Sequence, residues 1–128
     1  MNMSMSNALT LGLAGVASGL IHLNFANIPR MIGGGTSSAT GLFFLLLGIF
    51  QLFFTALAVS KFANRIVLII GVVGFAFSIL IFIVSTMVQL PFGAPHPQIS
   101  NAFAMACKVL ELIFIVNALA KLNLHPRT

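Results

Sequence analysis

Glu111 is the single acidic residue of the chain, and Lys108 stands three residues before it. On a helix that spacing puts both groups on one face. Both lie inside residues 101–121, NAFAMACKVLELIFIVNALAK, a run long enough to cross a ~30 Å hydrocarbon core as a helix. Two chemistries are open to such a pair. It can neutralise itself, offsetting an insertion cost of ~2.5–3.5 kcal/mol for each bare charge and locking helix packing. Alternatively it can relay a proton or ion, or make a polar contact to the active site of a partner.

Three further polar side chains sit in apolar surroundings. Gln51 is the one strongly polar group of the second apolar run, and His22 and Asn24 lie near the end of the first. A lone His on an apolar helix reads first as a hydrogen-bonded core residue and second as a proton carrier or metal ligand. A zinc or copper site needs three or four convergent ligands. No H-x-x-x-H or E-x-x-H pair occurs, and the outer-side set is limited to His22, His96 and Glu111 from below. No metal site built by this chain alone is therefore expected. Cys107, the only cysteine, has no disulfide partner and no zinc or iron–sulfur spacing, and reads as a small buried residue. Met1, Met3 and Met5 alternate, a pattern thioether ligands use for Cu(I), although a plain chain start is the simpler reading. There is no Ser/His/Asp set, no carboxylate pair and no Gly-rich phosphate motif, so no catalytic residue is assigned.

The elements that position these groups follow from composition. Of 128 residues, 59% are hydrophobic and 5% charged, against about 25% charged in an ordinary soluble domain. Mean hydropathy is +1.13. One Glu, no Asp and six Lys/Arg cannot clothe a water-soluble surface. The net charge of +5 is scattered without a run or patch, which excludes a nucleic-acid footprint. These features predict a single all-α domain, a four-transmembrane-helix up-down bundle, with spans at about 8–28, 40–60, 66–88 and 101–121. The β-branched start of the third span, IVLII, would suggest a strand in water. In lipid a helix is required, because every backbone group must be satisfied within the segment. The start, MNMSMSNA, has no basic residue ahead of the first apolar run, so that run reads as a retained anchor rather than a cleaved signal.

Small residues supply packing faces. Gly12, Gly15 and Gly19 line the first span, and Gly15-x-x-x-Gly19 is a small-xxx-small pattern; Gly71 and Gly74 with Ser78 do the same in the third. The connection 29–39 carries Gly33, Gly34 and Gly35 without a lysine, which reads as a loop and not a phosphate cradle. The connection 89–100 holds three prolines and His96 and is not helical throughout. Its Gln89-Leu90-Pro91-Phe92-Gly93 start reads as a fixed turn at the interface.

Lys61, Arg65, Lys121 and Arg127 fall on one side of such a bundle and Arg30 on the other, which predicts both termini in the cytoplasm and a multi-pass protein of the cell membrane. Depth can be counted from the ~1.5 Å rise per residue. Glu111 and Gln51 both reach the midplane of the core, with Lys108 and His22 one and about two turns outward. Lys108, Glu111, Gln51 and His22 are thus expected to form an intramembrane polar layer.

Several short stretches carry a resemblance. Gly19-Leu20-Ile21-His22-Leu23, Gly41-Leu42-Phe43-Phe44 with Gly48 and Gln51, Leu90-Pro91-Phe92-Gly93, and Glu111 together resemble a group of uncharacterised small four-helix integral membrane proteins. That group carries a His near the end of its first helix and a Glu in its fourth. A second His and acidic residues usual in its outer loops are missing here. In size and character the chain is also similar to the small accessory subunits of archaeal ammonia monooxygenase. This second resemblance implies a non-catalytic subunit of a copper-dependent membrane monooxygenase, packed in the lipid bilayer against larger integral membrane subunits, with copper held by a partner. The reading that follows is an accessory subunit of a membrane complex. The other reading is a small transporter or sensor built on the Lys108/Glu111/Gln51/His22 layer.

Overall fold

The computed structural model of the chain describes residues 5–25, 39–88 and 102–124. Among the described residues the protein is all-α, with four helices: α1 Met5–Phe25, α2 Ala39–Val59, α3 Arg65–Met87 and α4 Ala102–Leu124. α1 begins three residues before the expected first span, and α4 continues three residues beyond Lys121. The last residues of that first span, 26–28, lie outside the described residues. So do Met1, Met3, the Gly33–Gly34–Gly35 loop, the Leu90-Pro91-Phe92-Gly93 turn, His96, His125, Arg30 and Arg127.

The α2–α3 connection shows how locally the turns are closed. Ser60 donates its amide and its hydroxyl to the Leu57 carbonyl at 3.2 and 2.9 Å, and its Oγ accepts from the Phe62 amide at 3.1 Å. Asn64 then caps α3. Its backbone is extended, and its side-chain oxygen accepts the Val67 amide at 3.0 Å, satisfying a donor that the first helical turn leaves open. The β-branched IVLII that follows is helical, as hydrogen bonding within the segment demands.

Each helix packs on two others: α1 on α2 and α4, and α3 on α2 and α4. Paired positions give the directions. Gly15 lies against Thr55 and Gly19 against Gly48 and Leu52, so α1 and α2 are antiparallel. Gly71 and Gly74 meet Phe54 and Phe50 in reverse order, and Ser78 and Arg65 reach Lys108 and Leu122. The four helices therefore alternate up and down. The closest approach is between α1 and α2. A Cβ on Gly48 would stand 2.9 Å from the Gly19 carbonyl oxygen, and one on Gly19 would stand 3.2 Å from that of Gly48. Contact at that distance is backbone against backbone, which only small residues permit. A Cβ at Gly15 or Gly74 would run into Thr55 or Phe50, while Gly12 and Gly71 have only ordinary contacts, with Val59 and Phe114. All five glycines of the first and third spans thus serve packing inside the chain.

Apolar filling lies toward the end that carries the α2–α3 turn. Leu11, Ala14, Ala58, Leu68, Phe75, Phe114 and Ala118 form it, with the Phe75 and Phe114 rings stacked at 3.8 Å and 9°. At this end Lys121 donates to the Ala58 carbonyl at 2.5 Å and Arg65 to that of Leu122 at 3.4 Å, so Lys61, Arg65 and Lys121 gather together. Much of the remaining described surface is apolar: Leu13, Leu46, Phe53, Ile66, Val73, Leu80, Val109 and Val116 are exposed, alongside the polar Asn7, Thr10, Asn24 and Asn123. Ser18, His22, Gln51, Thr55, Ser78 and Glu111 are buried. Scattered exposed Leu is ordinary in any protein. The described interior thus mixes an apolar core with six polar residues, under an exterior that carries many apolar side chains. Two helices, over Leu42–Val59 and Arg65–Val84, are long and apolar enough to cross a membrane. α1 and α4 are less apolar, since besides Ser18, His22, Lys108 and Glu111 they carry exposed polar residues such as Asn7, Thr10, Asn24 and Asn123.

Candidate functional site

The polar interior is built from helix faces. Ser18 and His22 are one turn apart on α1, Gln51 and Thr55 on α2, and Cys107 and Glu111 on α4, with Lys108 alongside. A spacing of four residues stacks two side chains on the same face. Each helix therefore presents a short polar step, and α3 adds Ser78. The close Gly19–Gly48 approach brings the steps of α1 and α2 within reach of each other.

Gln51 is the hub. Its Nε2 donates to Glu111 Oε2 at 2.5 Å, and its Oε1 accepts from Ser18 Oγ at 2.9 Å and lies 2.7 Å from His22 Nδ1. His22 Nδ1 also lies 3.0 Å from the Ser18 carbonyl oxygen. Two acceptors facing Nδ1 place the imidazole proton there. Nε2 then carries the lone pair, 3.9 Å from Glu111 Oε2 and 3.7 Å from Cys107 Sγ. Cys107 Sγ is 3.3 Å from Ser18 Oγ. Since that hydroxyl donates to Gln51, the thiol is the donor in this contact. Thr55 returns its hydroxyl to the Gln51 carbonyl at 2.6 Å and so holds the hub's own turn. The His22 ring stacks near Phe44, with centroids 6.0 Å apart.

On the other side of the carboxylate, Lys108 Nζ lies 2.6 Å from Glu111 Oε1, an ion pair rather than an aligned hydrogen bond. The same ammonium donates to Ser78 Oγ at 2.9 Å and sits 5.5 Å above the Phe82 ring. Glu111 is fully buried, whereas the Lys108 side chain keeps 15% of its surface. The donors therefore run in one sense. Cys107 donates to Ser18, Ser18 to Gln51, Gln51 to Glu111, and Lys108 closes the far side.

The four residues expected in a polar layer, Lys108, Glu111, Gln51 and His22, lie in this one network. Its other members are Cys107, Ser18, Thr55 and Ser78; of these, the sequence points only to Cys107 and Ser78, and to them as small buried or packing residues. A signal for them was present. Ser18, Cys107 and Thr55 each stand four residues from a layer member and hence on its face. His22 Nδ1/Nε2, Cys107 Sγ and a Glu111 oxygen all lie within 4.8 Å of one another. His96, the other expected outer histidine, lies outside the described residues. Comparison with protein-family models, curated proteins and solved structures finds no match to this chain.

Proposed function

We propose that this chain is a four-span integral membrane protein, an up-down bundle with both termini cytoplasmic, that works as a small transporter or sensor through its central polar cluster. The observation that carries the reading is convergence. Neutralising Lys108 requires only Glu111, which its own helix already supplies. Gln51, His22, Ser18, Cys107 and Ser78 come from three other positions in the bundle and from α4 itself to meet that pair. A buried ion pair is seldom more stable than the apolar side chains that could replace it. Intramembrane ionisable groups therefore point to function by default. The lipid setting draws support from the many exposed apolar side chains and from the two apolar helices. The orientation draws on Lys61, Arg65 and Lys121 at one end. Partly exposed Lys108 is the side from which a cation or proton would enter.

The test is flux. Purified protein in liposomes with an internal pH indicator, driven by a potassium–valinomycin potential, is expected to pass protons or a cation. Glu111→Gln should abolish that flux. Unchanged flux in Glu111→Gln removes the cluster from any transport role.

A second reading, a non-catalytic accessory subunit of a larger membrane complex such as a copper-dependent monooxygenase, draws on one feature. Leu9, Leu13, Val16 and Leu20 form an exposed stripe at helical spacing along α1, which a helix of a larger subunit would cover as well as lipid does. The glycine faces of the first and third spans lend it no support, since the contacts of those glycines lie within the chain. Native mass spectrometry of mild-detergent extracts separates the readings. A stoichiometric heteromer favours the subunit, and a monomer or homodimer rules it out.

A further inference from the structure

We infer that His22, Cys107 and Glu111 form a binding site for a thiophilic d10 metal ion of the Zn²⁺ or Cu⁺ type. The inference rests on the reading of the cluster as a working site and names the cation it takes. The donor set is nitrogen, sulfur and oxygen, drawn from α1 and α4, and all three residues are buried. Metal–ligand bonds of about 2.0–2.3 Å place tetrahedral donors about 3.3–3.6 Å apart. His22 Nε2 and Cys107 Sγ are 3.7 Å apart, and His22 Nε2 and Glu111 Oε2 are 3.9 Å apart. The third edge, Cys107 Sγ to a Glu111 oxygen, lies within 4.8 Å, so closing the three donors on one ion takes side-chain rotation.

The surroundings match what a metal site requires beyond its ligands. A ligating histidine holds its other nitrogen in a hydrogen bond that fixes the tautomer and aims the ring. His22 Nδ1 has that arrangement, with Ser18 O at 3.0 Å and Gln51 Oε1 at 2.7 Å, which makes Nε2 the ligating nitrogen. Cys107 Sγ lies 3.6 Å from Nδ1 and 3.7 Å from Nε2, so its side chain must rotate toward Nε2 to share an ion. The two carboxylate oxygens have separate neighbours: Lys108 meets Oε1 at 2.6 Å, while Oε2 accepts from Gln51 Nε2 at 2.5 Å and lies 3.9 Å from His22 Nε2, so an ion would use the remaining lone pair of Oε2. The metal side and the lysine side of Glu111 are thus distinct.

Thiolate sulfur selects soft or borderline ions, and Mg²⁺ or Ca²⁺ would want oxygen throughout. Thiolate and carboxylate carry two negative charges and Lys108 one positive, a net charge of −1. A monovalent Cu⁺ brings the site to zero, and Zn²⁺ leaves it at +1. Binding takes Cys107 as thiolate, with its proton released to solvent. Three protein ligands leave an open position, the pattern of exchangeable rather than closed structural sites. This fits an ion that is taken up and handed on.

The experiment uses the full chain in mild detergent. Equilibrium dialysis with elemental analysis should find one Zn²⁺ or Cu⁺ per chain. Co²⁺, a probe for the Zn²⁺ geometry, should give a near-ultraviolet thiolate-to-metal band that added Zn²⁺ or Cu⁺ displaces. Which ion displaces it at lower concentration identifies the preferred one. Cys107→Ser, nearly isosteric, should remove the band and weaken binding by more than tenfold. His22→Gln, which keeps a hydrogen-bonding side chain, should weaken binding similarly. Helical circular dichroism checks that both variants are folded. An absence of binding to folded wild type at stoichiometric concentration overturns the site, as does equal binding by folded Cys107→Ser. The outcomes for the two proposals separate cleanly. Metal binding with no flux in liposomes leaves the site standing and removes transport. Flux that depends on Glu111 without metal binding does the reverse.

Discussion

Replacing Lys108 with Met tests how the buried carboxylate is held. The change removes the 2.6 Å ion pair with Glu111 Oε1 and the 2.9 Å hydrogen bond to Ser78, and leaves Glu111 fully buried with Gln51 as its remaining donor. Removing one member of a buried pair costs about 3–5 kcal/mol. Lys108 retains 15% exposure and Gln51 still donates, so the lower end applies, about 3 kcal/mol, or roughly a hundredfold in the folding equilibrium. Glu111→Gln alone strands a lysine that still has Ser78 and partial solvent, and should cost about 1–2 kcal/mol. The double variant Lys108→Met/Glu111→Gln has no charge to compensate. It should be more stable than the sum of the single changes predicts by about 2 kcal/mol. Unfolding in mixed micelles of rising dodecyl sulfate fraction, followed by helical circular dichroism, measures all four corners of the cycle. Single changes that add to within about 0.5 kcal/mol would refute the pair as the source of the stability. A neutral Lys108→Met would refute the burial argument itself.

Further changes probe the frame. Gly48→Ala sets a Cβ 2.9 Å from the Gly19 carbonyl; the backbones of α1 and α2 must separate, at about 1–3 kcal/mol in the same unfolding assay. Gly12→Ala, whose nearest new neighbour would be Val59 at 3.5 Å, should leave stability within about 0.5 kcal/mol of wild type, so equal effects at both positions would remove the close-approach account. Asn64→Ala removes the cap on the Val67 amide and should cost about 1 kcal/mol, while Asn64→Asp retains most of it. A loss of similar size in the Asp variant would show that the Asn64 side-chain oxygen is not the source of the cap.

Much of the frame was legible from residue order. Long apolar runs separated by polar, Gly- or Pro-bearing connections specify four helices, and a hydrogen-bonded backbone overrides the strand-like IVLII at the start of α3. The Lys108–Glu111 contact was legible too, since an i,i+3 pair on a helix is a local fact. So was the shared depth of Gln51 and Glu111, because rise per residue is constant. The rotation of each helix about its axis was not. α2 and α3 are apolar nearly all round, and the periodicity that tells a soluble helix which way to face is weak. Only the packed bundle decided that Cys107 turns toward Ser18 and His22 rather than outward, and that Ser78 faces Lys108. For α1 and α2 the Gly19–Gly48 approach accompanies it: with those backbones in close contact, His22 meets Gln51 at 2.7 Å. The sequence by itself thus determined that Lys108, Glu111, Gln51 and His22 lie at neighbouring levels of the bundle, through their positions along their helices. Tertiary packing determined which of them touch, because azimuth depends on steric fit between helices and not on any property of one helix alone.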